Sequence, residues 1–171
     1  MLPTIRNFLD GCNDETDINE HLPTLFRFAS KCDTVIEFGV RYGHSSRALI
    51  AARPKSLVSY DTTVEPEAEA LFATGREEKI DCKLVEQSSF DAEFDSVDFL
   101  FIDSDHSYAC LSKELRLHGH KVKKYIAFHD TVSYGHELVP AIQEYLETHP
   151  EWKPLEIYEN NNGFIVLRRV G

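Results

Sequence analysis

Residues 34–51 read TVIEFGVRYGHSSRALIA. The stretch opens on a short apolar run, Val35, Ile36 and Phe38, interrupted by Glu37. Gly39 and Gly43 follow, and then Ser45–Ala52 reads as a helix. Strand, glycine turn and helix start together form a loop suited to a nucleotide. Glycine lets the backbone bend sharply and lets a ligand come close where a Cβ would block it. The helix N-terminus beyond adds unpaired N–H groups and the positive end of a dipole.

Downstream of this loop, short apolar runs alternate with helical patterns. SLVSY (56–60) predicts a strand that ends at Asp61, and the helix after it has Pro66 in its first turn and Gly75 as its stop. KIDCKLVE (79–86) alternates as a third strand, and VDFLFI (97–102), the most apolar run, predicts a central one that ends in DSDHSY. A helix with Tyr108, Leu111 and Leu115 on one face leads to YIAF (125–128), which ends in HDT. Leu138, Ile142 and Leu146 mark a last helix that stops before Pro150. Residues 152–158 and 163–168 flank an Asn-Asn-Gly turn, a hairpin signal. Upstream, residues 1–33 predict a helical cover, with a helix over Ile18–Phe28 and Asp17 placed to cap it. The pattern predicts a single domain over 1–171, with a parallel sheet covered on both faces and an antiparallel hairpin at one edge.

Composition narrows the partners. With 18 Lys and Arg against 29 Asp and Glu, the net charge of −11 argues against a nucleic-acid backbone as ligand. No apolar run is long enough to span a membrane, and the first residues lack a signal-peptide pattern. The cysteines (Cys12, Cys32, Cys82 and Cys110) form no CxxC pair, and read as reduced thiols of a cytoplasmic protein. His21, His118, His120, His136 and His149 are expected to be solvated, and His44 to fill a structural position. Trp152 and Phe164 are expected in the core.

The polar residues of note fall where strands end, the place where ligands gather in such sheets. Asp61 lies 22 residues after Gly39, the position of an acid that accepts hydrogen bonds from ribose hydroxyls. A dinucleotide fingerprint would need G-x-G-x-x-G. Here Arg41 stands where the second glycine would allow a pyrophosphate to approach.

The E-x-G-x-x-x-G form resembles instead the glycine loop of class I S-adenosylmethionine-dependent methyltransferases. FIDSDHSY and YIAFHDT resemble the fourth- and fifth-strand motifs of a subgroup that includes sugar and macrolide O-methyltransferases and cephalosporin hydroxylase-like proteins. EFGVRYGHSS is similar to that subgroup's loop, Arg41 and the serines included. The likeness covers roughly residues 34–135. It implies a Rossmann-like, doubly wound, mostly parallel seven-stranded sheet with S-adenosyl-L-methionine as cofactor. In that reading Gly39, Arg41 and Gly43 shape the loop at the cofactor's amino-acid end. Glu37 orients the turn or reaches the amino group through water, Asp61 holds the ribose, and Gln87 and Ser88 flank the adenine. Asp103 lies between cofactor and acceptor.

Several O-methyltransferases of this kind bind Mg²⁺ through a strand-four acid and two residues ending strand five, which here are Asp103, His129 and Asp130. A divalent metal there would bind the acceptor hydroxyl and lower its pKa. Imidazole at 129 would favour Mn²⁺, Fe²⁺ or Zn²⁺. Alternatively His129 or His106 is the general base, or Asp103 and Asp130 only cap helices. The reading is a small methyltransferase acting on an oxygen of a small molecule or sugar. Little lid of its own covers its acceptor pocket, so a second subunit, as in a homodimer, would help close it. Two other classes stay open. One is a metal-dependent hydrolase using Asp103, Asp105, His106, His129 and Asp130; the other is a non-catalytic S-adenosylmethionine-binding protein.

Overall fold

The computed structural model describes residues 1–171. Seven strands form one sheet: β1 (Thr34–Phe38), β2 (Ser56–Asp61), β3 (Cys82–Glu86), β4 (Val97–Ile102), β5 (Val122–His129), β6 (Trp152–Tyr158) and β7 (Phe164–Arg169). Six helices join them: α1 (Pro3–Asn13), α2 (Leu22–Ala29), α3 (His44–Ala51), α4 (Pro66–Glu77), α5 (Tyr108–His118) and α6 (Gly135–Thr148). The strand order is β3-β2-β1-β4-β5-β7-β6. Strands β1 to β5 pair in parallel, whereas β7 runs antiparallel to both β5 and β6. The sheet is therefore Rossmann-like and doubly wound, with the hairpin at one edge. The chain reverses direction of winding between β1 and β4, and the ends of these two strands leave a crevice.

Side-chain alternation divides the core between the two faces of the sheet. Val35, Phe99 and Phe101 pack with α1 to α4, while Ile36, Phe38, Leu100 and Ile102 pack with α5 and α6. All six residues of β4 are buried, which is why this run is so apolar. Each buried Phe contributes roughly 1.5–3 kcal/mol, so Phe99 and Phe101 anchor the middle of the sheet. Trp152 and Phe164 are core, as expected from sequence.

Local boundaries differ from the sequence reading in ways that packing explains. The helix expected over 18–28 begins as a 3-10 turn at Asn19–His21 and becomes α2 only at Leu22, with no cap from Asp17. Gly75 does not stop α4, which runs on to Glu77. A Cβ at this glycine would lie 2.7 Å from Cys82 Sγ and 3.0 Å from Ile50. Gly75 is the notch through which α4 seats against β3 and α3. The third strand begins at Cys82, because Lys79 adopts a left-handed backbone, φ 62°. Tyr108 turns outward from α5, its hydroxyl bonded to Glu144, and leaves the buried face to Leu111 and Leu115. His21 and His118, expected in solvent, are buried, and each bonds a backbone carbonyl. All four cysteines are free. No helix is long and apolar enough to cross a membrane.

Candidate active site

A cleft of about 540 Å³ lies over the carboxyl ends of the parallel strands. Gly39, Arg41, Asp61, Gln87, Ser88, Asp103, His106 and Asp130 line it, together with Asp17 and Ile18 from the N-terminal segment. The segment between α1 and α2 forms a wall, and its sequence carries no motif that announces it. Asn161 and Asn162, in the β6–β7 turn, donate through their amides to the carbonyls of Thr16 and Asp17 and so hold it there.

The loop itself is built by two constraints. Gly39 has φ +85°, and a Cβ there would lie 2.0 Å from the Asp103 carbonyl oxygen. The glycine is therefore demanded by β4, whose end presses against the loop. Asp61 fixes the loop from the other side: its Oδ2 accepts from the N–H of Val40 at 2.7 Å and of Arg41 at 2.8 Å. This carboxylate, which the sequence places at a ribose, also pins the turn that would receive the cofactor. Arg41, held at φ 51°, leaves its side chain mostly exposed at the rim, 3.7 Å from Asp17.

Two residues assigned to the cofactor lie outside the cleft lining. Gly43 packs on α4, against Leu71 and Ala68. Glu37 is fully buried beneath the N-terminus of α3, where Ser45, Ser46 and Ser59 donate to it at 2.5, 2.7 and 2.6 Å. It ties β1, β2 and α3 together through the three serine hydroxyls. Burial pushes its carboxyl up to about 7 against the pull of the three hydroxyls. A folded-state pKa above the unfolded value means that stability is fully present below about 4.5 and is lost as pH rises through about 7. Glu37→Gln is expected to lose this dependence. Between pH 5 and pH 8 the wild type should forfeit about 3 kcal/mol more than the variant in urea unfolding; parallel stability profiles would contradict the assignment.

At the far end of the cleft, Asp103 closes β4, while His129 ends β5 and Asp130 follows it. His129 is buried, and its Nε2–H donates to the Asn161 carbonyl at 3.1 Å. That bond turns Nδ1 inward, where it makes no hydrogen bond and lies 3.4 Å from Asp103 Oδ1 and 3.3 Å from Asp130 Oδ2. A bare lone pair between two carboxylates is repelled, so a cation, either a proton or a metal ion, belongs between them. One ligand atom from each of Asp103, His129 and Asp130 can come within 4.8 Å of the others. Asp130 adopts a left-handed backbone, φ 58°, a strained state that marks sites where a side chain must be aimed. Neither aspartate caps a helix: Ser107 caps α5, and α6 has no side-chain cap.

His106 completes the cluster. Its Nε2 lies 2.8 Å from Asp130 Oδ2 and 3.5 Å from Asp103 Oδ1, and its ring stacks on Tyr134 at 4.3 Å. The two aspartates hold the His106 imidazole up at about 9. For His129, burial opposes the charge, but the same carboxylates outweigh it and raise the ring to about 10. Asp130 is held well below the usual carboxylate range by both imidazoles, despite its burial. His129 is thus the inner, fixed member and His106 the one that faces the cleft.

No protein-family model matches the sequence, and no curated protein is significantly similar to it. Solved structures do match. An O-methyltransferase from Bacillus cereus in complex with S-adenosylhomocysteine superposes with a TM-score of 0.67 at 15% identity, covering 97% of this chain and 90% of that one. The O-methyltransferase TomG from Streptomyces achromogenes, in complex with S-adenosylmethionine, gives 0.66 at 14% identity over 90% and 81%. The N-methyltransferase NodS from Bradyrhizobium japonicum gives 0.68 at 12% identity over 91% and 89%. The chain therefore has the fold of the class I S-adenosylmethionine-dependent methyltransferases.

Proposed function

We propose that this protein is an S-adenosylmethionine-dependent methyltransferase acting on a hydroxyl of a small molecule or sugar. The observation that carries the reading is one cleft with a pinned glycine loop and Asp61 at one end and the Asp103–His106–His129–Asp130 cluster at the other. A hydrolase would need the cluster but would have no use for the loop. Both O- and N-methyltransferases share the fold, so preference for oxygen rests on the cluster, which suits removal of a hydroxyl proton.

When bound, S-adenosylmethionine would supply an electrophilic methyl group on a sulfonium, with a neutral thioether as the leaving group. Asp61 and the loop backbone hold the nucleoside and so fix where that methyl points. Asp103 bounds the space in which the acceptor oxygen must stand. His106 is placed to receive the hydroxyl proton in its neutral form, which Asp103 and Asp130 make scarce below about pH 9, and Asp130, 2.8 Å from its Nε2, stabilises the imidazolium that results. His129, fixed by the Asn161 carbonyl, orients both carboxylates. Asp103, His129 and Asp130 also fit a divalent cation of the Mn²⁺ or Fe²⁺ type through the orphaned Nδ1, and such a cation would lower the pKa of an acceptor hydroxyl.

Transfer of labelled methyl from S-adenosylmethionine to a panel of phenols, sugars and hydroxy acids, with and without Mn²⁺, tests the activity. Labelled product from hydroxyl acceptors alone supports it, and transfer only to amines would overturn the oxygen assignment. The cation is tested apart from turnover. Calorimetric titration with Mn²⁺ is expected to give one site, weakened by about tenfold or more in Asp130→Asn. Absence of Mn²⁺ binding to the wild type would remove the metal from the account.

A further inference from the structure

Helix α5 carries two buried polar side chains that methyl transfer does not use. Glu114 is fully buried; its Oε1 accepts from the Ser104 hydroxyl at 2.6 Å, and its Oε2 has no partner. One turn later His118 is buried too, and its Nε2–H donates to the Ser89 carbonyl at 2.7 Å. Residues four apart share a helix face, and here both reach residues that line the cleft. Ser104 follows β4, and Ser89 opens the 3-10 turn after β3. Leucine would dock this helix at lower cost, since an enclosed carboxyl is expensive to bury. Burial accordingly pushes Glu114 up to about 7. The arrangement makes sense if the bond to Ser104 is itself needed.

That bond has a directional consequence. A serine hydroxyl carries one proton and two lone pairs. With its proton committed to Glu114 Oε1, Ser104 can meet a ligand in the cleft only as an acceptor. Oε1 stays an acceptor whether Glu114 is ionised or carries a proton on Oε2. Ser88, Ser89, Phe90, Ser104 and Cys110 form a wall from the segments that follow β3 and β4, and it borders the cluster at Asp103, the neighbour of Ser104. With a ribose at Asp61 and the reacting groups at that cluster, this wall faces the base.

We propose that Glu114, through Ser104, makes the base end of the cleft selective for a 6-aminopurine over a 6-oxopurine. The Ser104 oxygen accepts from an exocyclic amino group and turns its lone pairs against a carbonyl at the same position. Glu114 is a positioning residue, and Ser104 is the group that touches the ligand. The inference rests on the cofactor reading above and extends it to the residues that choose the base.

The test is titration with S-adenosylhomocysteine and with S-inosylhomocysteine, which carries a carbonyl in place of the amino group and a proton on N1. Wild type is expected to prefer the amino form by about tenfold or more. Ser104→Ala should bring the two affinities within about threefold of each other. Glu114→Leu should do the same, because the freed hydroxyl can turn either way, whereas Glu114→Gln should keep the preference through its amide oxygen. A purely structural role would weaken both ligands together and leave their ratio unchanged. Equal binding of both ligands by the wild type, or an unchanged ratio in Ser104→Ala, would overturn the inference and leave the cofactor reading intact. Binding of neither ligand by the wild type would overturn both.

Discussion

Asp61→Ala is expected to weaken binding of S-adenosylhomocysteine by about 10²- to 10³-fold, because bonds to a charged acceptor are worth roughly 1.5–3 kcal/mol each. The carboxylate has two duties. Its Oδ2 accepts from two consecutive backbone N–H groups of the glycine loop, and its Oδ1 accepts from Thr63 N–H at 3.2 Å, while the residue lines the cleft. Alanine removes the ribose acceptor and also releases Val40 and Arg41, so the loop loses the shape that would receive the cofactor. Asp61→Asn separates these duties. Its amide oxygen can still hold the loop, but its NH₂ cannot accept from a ribose hydroxyl, so an intermediate loss is expected. Binding within about threefold of wild type in Asp61→Ala would show that the ribose lies elsewhere.

Gly39→Ala is the second large effect, and it falls on stability. The added Cβ would meet the carbonyl of Asp103, just beyond β4, at 2.0 Å and would sit at φ +85°. Backbone cannot step aside as a flexible side chain can, so a loss of about 4 kcal/mol or more is expected in urea unfolding. Gly43→Ala is the control. Its φ is also positive, +84°, but its Cβ meets the end of Leu71 at 3.1 Å, and only the left-handed penalty of about 1–2 kcal/mol applies. Equal losses in the two variants would mean that backbone conformation alone, and not the approach of β4, demands glycine at 39.

These contrasts show what can be read along the chain and what cannot. Alternation and turn residues reveal strands and helices because they are local properties, and the strand ends follow from them. Hence Asp61, Asp103, His106 and Asp130 could be picked out before any fold was known, and the fold brings them to one cleft. The burial of Glu37 was not legible because a motif gives the position of a residue but not the direction of its side chain. In a strand buried on both faces, the face that Glu37 shares with Val35 turns it under α3. His21, His118 and Glu114 gave no signal either, since their partners lie 139, 29 and 10 residues away in sequence. The Asn160–Gly163 turn read only as a hairpin. Its carbonyls and amides in fact fix both His129 and the N-terminal wall of the cleft.

The central claim is that the pinned glycine loop and Asp61 receive S-adenosylmethionine, and calorimetric titration with S-adenosylhomocysteine, with NAD as the control, tests it most directly. The account predicts saturable one-to-one binding of S-adenosylhomocysteine and none of NAD, because Arg41 stands where a pyrophosphate would need glycine. Binding of NAD, or of neither ligand, would contradict it.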